Sequence, residues 1–311
     1  MLTFFRQTCI ASALAAATSI GAQPSHQAIL AGQFRERLEQ IAKSTNGVVG
    51  ISAIDLATGQ HHGVNDSLVF PQGSAIKIPI LIELFRRFET GTLKPEERVV
   101  LRGLDQVGGS GVSQWFGDGQ SALSLHDLAV LMITLSDNTA TNILIDKLGM
   151  PTINQTMAGF GLGSIKVQRK MIQPRESALG NENVATPRDA AQLMRRIHSC
   201  ELPMSRERCG ALRRILELPK AGAFPASVPN NVRVAWKPGG VEGVETAWGL
   251  FALPGRPYAL AVMVNYSDSP ASSRALREVA DASFEYFRRL ARSSPHGVRV
   301  PLSVADSVRK P

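Results

Sequence analysis

Phe70-Pro71-Gln72-Gly73-Ser74-Ala75-Ile76-Lys77 decides how this 311-residue chain is read. It sets a serine and a lysine three residues apart, where an apolar run predicts a helix from Ala75 to Phe88 that Thr90-Gly91 ends. Residues at i and i+3 share one helix face. A serine hydroxyl becomes an effective nucleophile only when a nearby base takes its proton, and a lysine can be that base if burial or neighbouring positive charge lowers its pKa. The unpaired N–H groups and positive dipole end of the helix start favour an oxyanion forming at Ser74. Alone, Ser-x-x-Lys is short enough to occur by chance in any chain of this length.

Two further fragments lie downstream. Ser136-Asp137-Asn138 falls at a break between two helical patterns. In isolation it reads as a helix N-cap, since all three residues are favoured caps. Behind Ser74 and Lys77 it acquires a second reading, with Ser136 passing a proton between Lys77 and a leaving nitrogen and Asn138 bonding a substrate amide. Lys237-Pro238-Gly239-Gly240 ends a strand predicted over Val232 to Lys237. Lys237 would hold an anionic group, Gly239 and Gly240 would let substrate approach the strand backbone, and the Gly240 N–H is the candidate second oxyanion donor beside that of Ser74. By itself this fragment reads equally as a basic strand end before a turn.

In this order and spacing the three fragments resemble the active-site motifs of class A β-lactamases and related penicillin-recognising serine hydrolases. The resemblance runs from about Phe34 to Arg292 and takes in Phe70-Pro71, Gly109-Ser110-Gly111 and the run from Leu128 to Asn142. It implies an acyl-Ser74 intermediate formed by opening a β-lactam amide and then hydrolysed, with no metal or organic cofactor. The rival functions are a penicillin-binding D-Ala peptidase or related hydrolase acting on peptidoglycan peptides, and a β-lactam sensor that deacylates slowly. Two positions depart from the family pattern. Pro238 stands where the family has Thr or Ser, and it brings neither a hydroxyl nor an N–H, leaving Lys237, Ser136 and Thr246 to hold a substrate carboxylate. In the long loop, Met171 stands about where the family has the glutamate that activates the deacylating water. Glu176 is the first choice for that base and Glu182 the second.

The rest of the chain fits one secreted enzyme. Met1 to Ala22 has a positive Arg6, an apolar small-residue stretch and a small residue before Gln23-Pro24, the signature of a signal peptide. A periplasmic or secreted protein is therefore expected, without a stable membrane anchor. Export would let Cys200 and Cys209 bridge, but the sequence leaves open whether their Cα atoms come within reach. The formal charge of +8 falls to +7 when Arg6 is removed. The excess arginines are scattered over helices with no nucleic-acid-binding motif beside them. No histidine or cysteine spacing resembles a metal-ligand set. A monomer binding a small molecule is expected.

Early strands, a helical middle, late strands and a terminal helix imply an α+β fold. An antiparallel sheet flanked by helices would form from about 27–69 and 219–292, with an all-helical lobe inserted over about 70–218 and a loose tail over 293–311. The catalytic domain thus spans 23–292. Gly159 to Thr186 carries little periodicity and is read as a long functional loop.

Overall fold

The computed structural model describes residues 25–294 except 223, 226 and 227, together with 296–298, 301 and 304. The leader expected over 1–22 and most of the expected tail lie outside the described residues. In chain order the elements are α1 (His26–Ser44), β1 (Val48–Asp55), β2 (His61–Val64), β3 (Phe70–Pro71), a 3-10 turn (Gly73–Ile76) and α2 (Lys77–Glu89). Then follow β4 (Arg98–Val100), β5 (Ala122–Ser124), α3 (Leu125–Thr134), α4 (Asn138–Leu148), α5 (Met150–Gly159), α6 (Pro174–Ala178) and β6 (Val184–Ala185). The chain continues with α7 (Pro187–Ser199), α8 (Arg206–Glu217), β7 (Val234–Val241), β8 (Val244–Phe251), β9 (Tyr258–Asn265) and α9 (Ser269–Ala291).

The fold is α+β. Five antiparallel strands are ordered β2-β1-β9-β8-β7, so the first strand pairs with the last and everything between β2 and β7 is an insertion. β1 and β9 are buried along almost their whole length because both faces of the sheet are covered. On one face α1 supplies Phe34, Leu38 and Ile41 and α9 supplies Phe287. There Phe251, Tyr258 and Phe287 stack in sequence with ring centroids 4.5 and 4.3 Å apart, a geometry that adds to plain area burial. On the other face the sheet meets α7 and the inserted helices around α2, whose residues from Lys77 to Phe85 are all buried. A helix with no exposed stripe over two turns belongs at a core centre, which buries the end of α2 that follows Ser74. No helix among the described residues is long and apolar enough to cross a membrane.

Two expectations are corrected. β7 runs on to Val241, so Lys237-Pro238-Gly239-Gly240 lies inside the strand, not at its end. Pro is tolerated there because β7 is the sheet edge. Pro238 O accepts from Lys237 Nζ at 2.9 Å and so faces away from β8. A strand residue's N and O share an edge, so the N–H that proline lacks would also have pointed outward and no ladder bond is lost. The stretch 159–186 is likewise not all loop. It holds α6 and β6, and β6 pairs with β3 just before Ser74, Phe70 opposite Ala185. Cys200 and Cys209 are joined by a disulfide with Cα atoms 5.9 Å apart, tying the left-handed end of α7 to α8.

Candidate active site

Ser74 lies in the 3-10 turn that leads into α2, with the Lys77 N–H donating to the carbonyls of Ser74 and Ala75. Buried Gln72 anchors this turn from below. Its Nε2 donates to Phe70 O at 2.8 Å, its Oε1 accepts from Trp248 Nε1 at 2.9 Å, and its own carbonyl accepts from Thr246 Oγ1 at 3.0 Å. Thr246 was expected to help hold an anion; the structure instead uses its buried hydroxyl as a strut between β8 and the turn that carries Ser74.

Gly239 also has a different task from the one expected. A Cβ there would sit 2.2 Å from Gln72 O and 2.5 Å from Ala75 N, so its bareness admits the Ser74 turn. Gly73, at φ +48°, would likewise place a Cβ 2.7 Å from Gly240 N. The two backbone segments that carry the Ser74 and Gly240 N–H groups therefore touch through glycine alone. Gly239→Ala is expected to destabilise the protein by about 3 kcal/mol, the upper end for overpacking, because the clash is with backbone that no rotamer change relieves. Denaturant unfolding at constant m-value is the check.

Three of the expected residues meet around one amine. Lys77 Nζ lies 2.7 Å from Ser136 O, 3.0 Å from Asn138 Oδ1 and 3.1 Å from Ser136 Oγ. Lys237 Nζ reaches the same Ser136 Oγ at 3.2 Å. Burial lowers the Lys77 pKa from 10.5 to about 7, with nearby Asp137 acting in the opposite direction. Burial, and next the positive charge of Lys77, also pushes Lys237 well below its ordinary value. A neutral Lys77 has two N–H bonds and one lone pair. Ser136 O and Asn138 Oδ1 can only accept and so take both N–H bonds, leaving the lone pair to accept a proton. Lys237 Nζ donates to the Ser136 hydroxyl from the other side, making Ser136 a bridge between two amines. Ser74 Oγ itself makes no hydrogen bond among the described residues.

Ser136 is held in the left-handed region at φ +53°, which costs a non-glycine residue roughly 1–2 kcal/mol. Asp137 offsets this. As N-cap of α4 it accepts from Ala140 N at 2.9 Å, and its other oxygen accepts from Val112 N and Ser113 N, each at 2.8 Å. The capping reading of this motif thus applies to Asp137, while Ser136 and Asn138 face the Lys77 amine. Asn138 Nδ2 donates to Gly108 O at 3.1 Å, which ties the mid-chain glycine loop to the cleft.

The long loop places no carboxylate on this cluster. Glu176, the first choice for the deacylating base, lies on α6 and accepts from Asn181 Nδ2 at 2.8 Å. Glu182 accepts from Ser177 Oγ at 2.6 Å and pairs with Arg169 at 2.7 Å. Among the described residues neither makes a hydrogen bond or ion pair to Ser74, Lys77, Ser136 or Asn138. Met171 is buried, and Asn142 clasps its backbone on both sides, Met171 N to Oδ1 at 2.7 Å and Nδ2 to Met171 O at 3.2 Å. Next to it, half-exposed Ile172 is left-handed at φ +60° and its Cδ1 comes within 3.2 Å of where a Gly109 side chain would begin. Sequence reasoning passed over Gln72, Asn142 and Ile172; a buried amide or a left-handed isoleucine leaves no periodic trace.

Comparison with known proteins agrees with this geometry. The sequence profile of the Beta-lactamase enzyme family matches residues 33–287. Among solved structures, the chain is similar to the β-lactamase of Sphaerobacter thermophilus, with 30% identity, a TM-score of 0.75, and coverage of 83% of this chain and 97% of that one. It is also similar to PBP-A, with 28% identity, a TM-score of 0.76, and coverage of 82% and 96%. Among curated proteins, the β-lactamase of Rhodobacter capsulatus is 26% identical over 152 residues, 49% of this chain and 51% of the relative. The β-lactamase CARB-4 of Pseudomonas aeruginosa is 28% identical over 158 residues, 49% and 54%. In sequence, then, the chain spans about half the length of the curated relatives it matches. The profile crosses both the sheet and the inserted helices, so the chain as a whole belongs to the β-lactamase enzyme family and is class A-like within it.

Proposed function

We propose that the protein opens β-lactam amides by acylation of Ser74 and that the resulting acyl-enzyme is hydrolysed slowly. The observation that carries this reading is the buried Lys77 amine, with a pKa of about 7, bridged through Ser136 to Lys237. Neutral Lys77 takes the Ser74 proton as Oγ attacks the carbonyl carbon, and the Ser74 and Gly240 N–H groups receive the oxyanion. As the C–N bond breaks, Ser136 gives its proton to the departing nitrogen and regains one from Lys77. Lys237 supplies positive charge for an anionic substrate group, and Asn138 turns to the substrate amide.

Slow hydrolysis is supported by the placement of Met171, clasped by Asn142, and by the engagement of Glu176 and Glu182 elsewhere. A single-residue variant of PBP-A, 28% identical to this chain, forms an acyl-enzyme complex with penicillin G. Export to an oxidising compartment belongs to the same reading, supported by the Cys200–Cys209 bridge.

Intact-protein mass spectrometry over time, after mixing with a chromogenic cephalosporin, tests both parts. A persisting adduct on Ser74 is expected. Rapid clearance by the parent protein would overturn the slow step, and no adduct would overturn the acylation. Met171→Glu is expected to shorten the adduct's lifetime at least about tenfold, since a positioned general base contributes about 10²–10⁴-fold; an unchanged lifetime would place the water elsewhere.

A further inference from the structure

Ser136 lies where the leaving group departs, and the groups around it that could grip an anion there are almost all spent inside the protein. Thr246 is fully buried and gives its one hydroxyl proton to Gln72 O at 3.0 Å. Pro238 has neither a hydroxyl nor an N–H, and its carbonyl already accepts from Lys237 Nζ at 2.9 Å. The Ser136 proton is committed to the leaving atom in the step proposed above. Lys237 Nζ contacts Ser136 Oγ at 3.2 Å as well as Pro238 O, which uses both N–H bonds of a neutral amine. Only a protonated Lys237 keeps a third, and burial opposes that state, together with the charges of Lys77 and Lys220. Lys220 is itself engaged. It donates to Leu216 O at 2.7 Å and Leu218 O at 2.6 Å, with its amine 5.4 Å from the Trp236 ring centre.

A carboxylate has about four lone-pair sites to satisfy, and it loses its hydration on entering a cleft. Here one N–H of Lys237, at most, would receive it. A buried charge so poorly partnered carries a cost that a neutral group escapes. We propose that the protein also cleaves esters and thioesters whose leaving group is uncharged, and that Pro238 is the residue that removes selection for a leaving-side carboxylate. The inference rests on the acylation reading and deepens it. In the step, Ser74 Oγ bonds to the carbonyl carbon and gives its proton to Lys77. The carbon–oxygen or carbon–sulfur bond breaks, the leaving atom takes the Ser136 proton, and Ser136 regains one from Lys77. Water then adds to the acyl carbon, freeing the acid and returning a proton to Ser74 Oγ.

The test uses two thioesters of phenylacetylglycine, one with mercaptoacetate and one with mercaptoacetamide as leaving group. They exchange a carboxylate for a carboxamide, and the shared acyl group cancels. Thiol release gives kcat/KM up to acylation, and each value is divided by that thioester's rate of hydrolysis by hydroxide. The corrected carboxylate-to-carboxamide ratio is expected to be near one, whereas one charge-assisted hydrogen bond to the carboxylate would raise it at least about tenfold. Pro238→Thr supplies a hydroxyl at that place and is expected to produce such a rise. A ratio of rates is insensitive to the fraction folded. A parent ratio of about tenfold or more, or an unchanged ratio in the variant, would overturn the inference while leaving acylation intact. So would failure of both thioesters in a protein that penicillin G still acylates at Ser74. If penicillin G forms no adduct either, the acylation reading falls and the inference with it.

Discussion

Ser74→Ala is expected to abolish the covalent adduct and lower β-lactam opening by at least about 10⁴-fold, the scale on which removal of a hydrolase nucleophile acts. The size of the effect follows from the surroundings of Ser74. Its turn is fixed by Gln72, Thr246 and the bare Gly239, so alanine changes no packing and only the hydroxyl is lost. The N–H groups of residues 74 and 240 remain, and so does Lys237, so substrate binding should persist while covalent chemistry stops. Mass spectrometry reads the adduct and a chromogenic assay reads the rate. An adduct on the variant would move the nucleophile to another residue; Ser136 is the hydroxyl to check first, since it already contacts both lysines.

Lys77→Met should reduce the acylation rate about 10³-fold, within the range assigned to a positioned general base. It should also remove the rise of that rate with pH through about 7, where the Lys77 amine becomes neutral. The same shift has a stability signature of opposite origin. Lys77 holds its proton less readily folded than unfolded, where its pKa is about 10.5. Between these values the unfolded chain binds more protons, so stability rises with pH across that window. The penalty is complete below about pH 7 and fades as pH approaches 10.5. Lys237 contributes a slope of the same sign, and the Lys77 charge is one cause of its shift. The difference between parent and variant therefore reports the two coupled amines, with Lys77 as the group removed. Urea unfolding at several pH values measures it; parallel slopes would show that Lys77 is charged throughout, and the base would have to be another group.

Much of the fold was legible because its signals are local. Phe34, Leu38 and Ile41 at helical spacing, Pro187 opening α7, and the alternation of strand and helix blocks each depend on neighbours within a turn or two of chain. Spacing also joined Ser74, Lys77, Ser136, Asn138 and Lys237 into one candidate set, since S-x-x-K, S-D-N and a strand lysine each present a side chain by local geometry.

The sequence by itself determined the order of the main strand and helix blocks, the α+β class and a candidate set of site residues, since periodicity and motif spacing are properties of the chain. Only the tertiary structure decided how those residues are used. The Lys77 pKa falls to about 7 because the core around α2 buries the amine. Thr246 and Gly239 support the turn that carries Ser74 because β7 and β8 close upon Gln72. Glu176 is spent on Asn181 and Met171 on Asn142 because the loop folds back upon itself and α4. Desolvation, close approach and competition for hydrogen bonds arise between segments distant in sequence, and none of them leaves a mark on the spacing of residues.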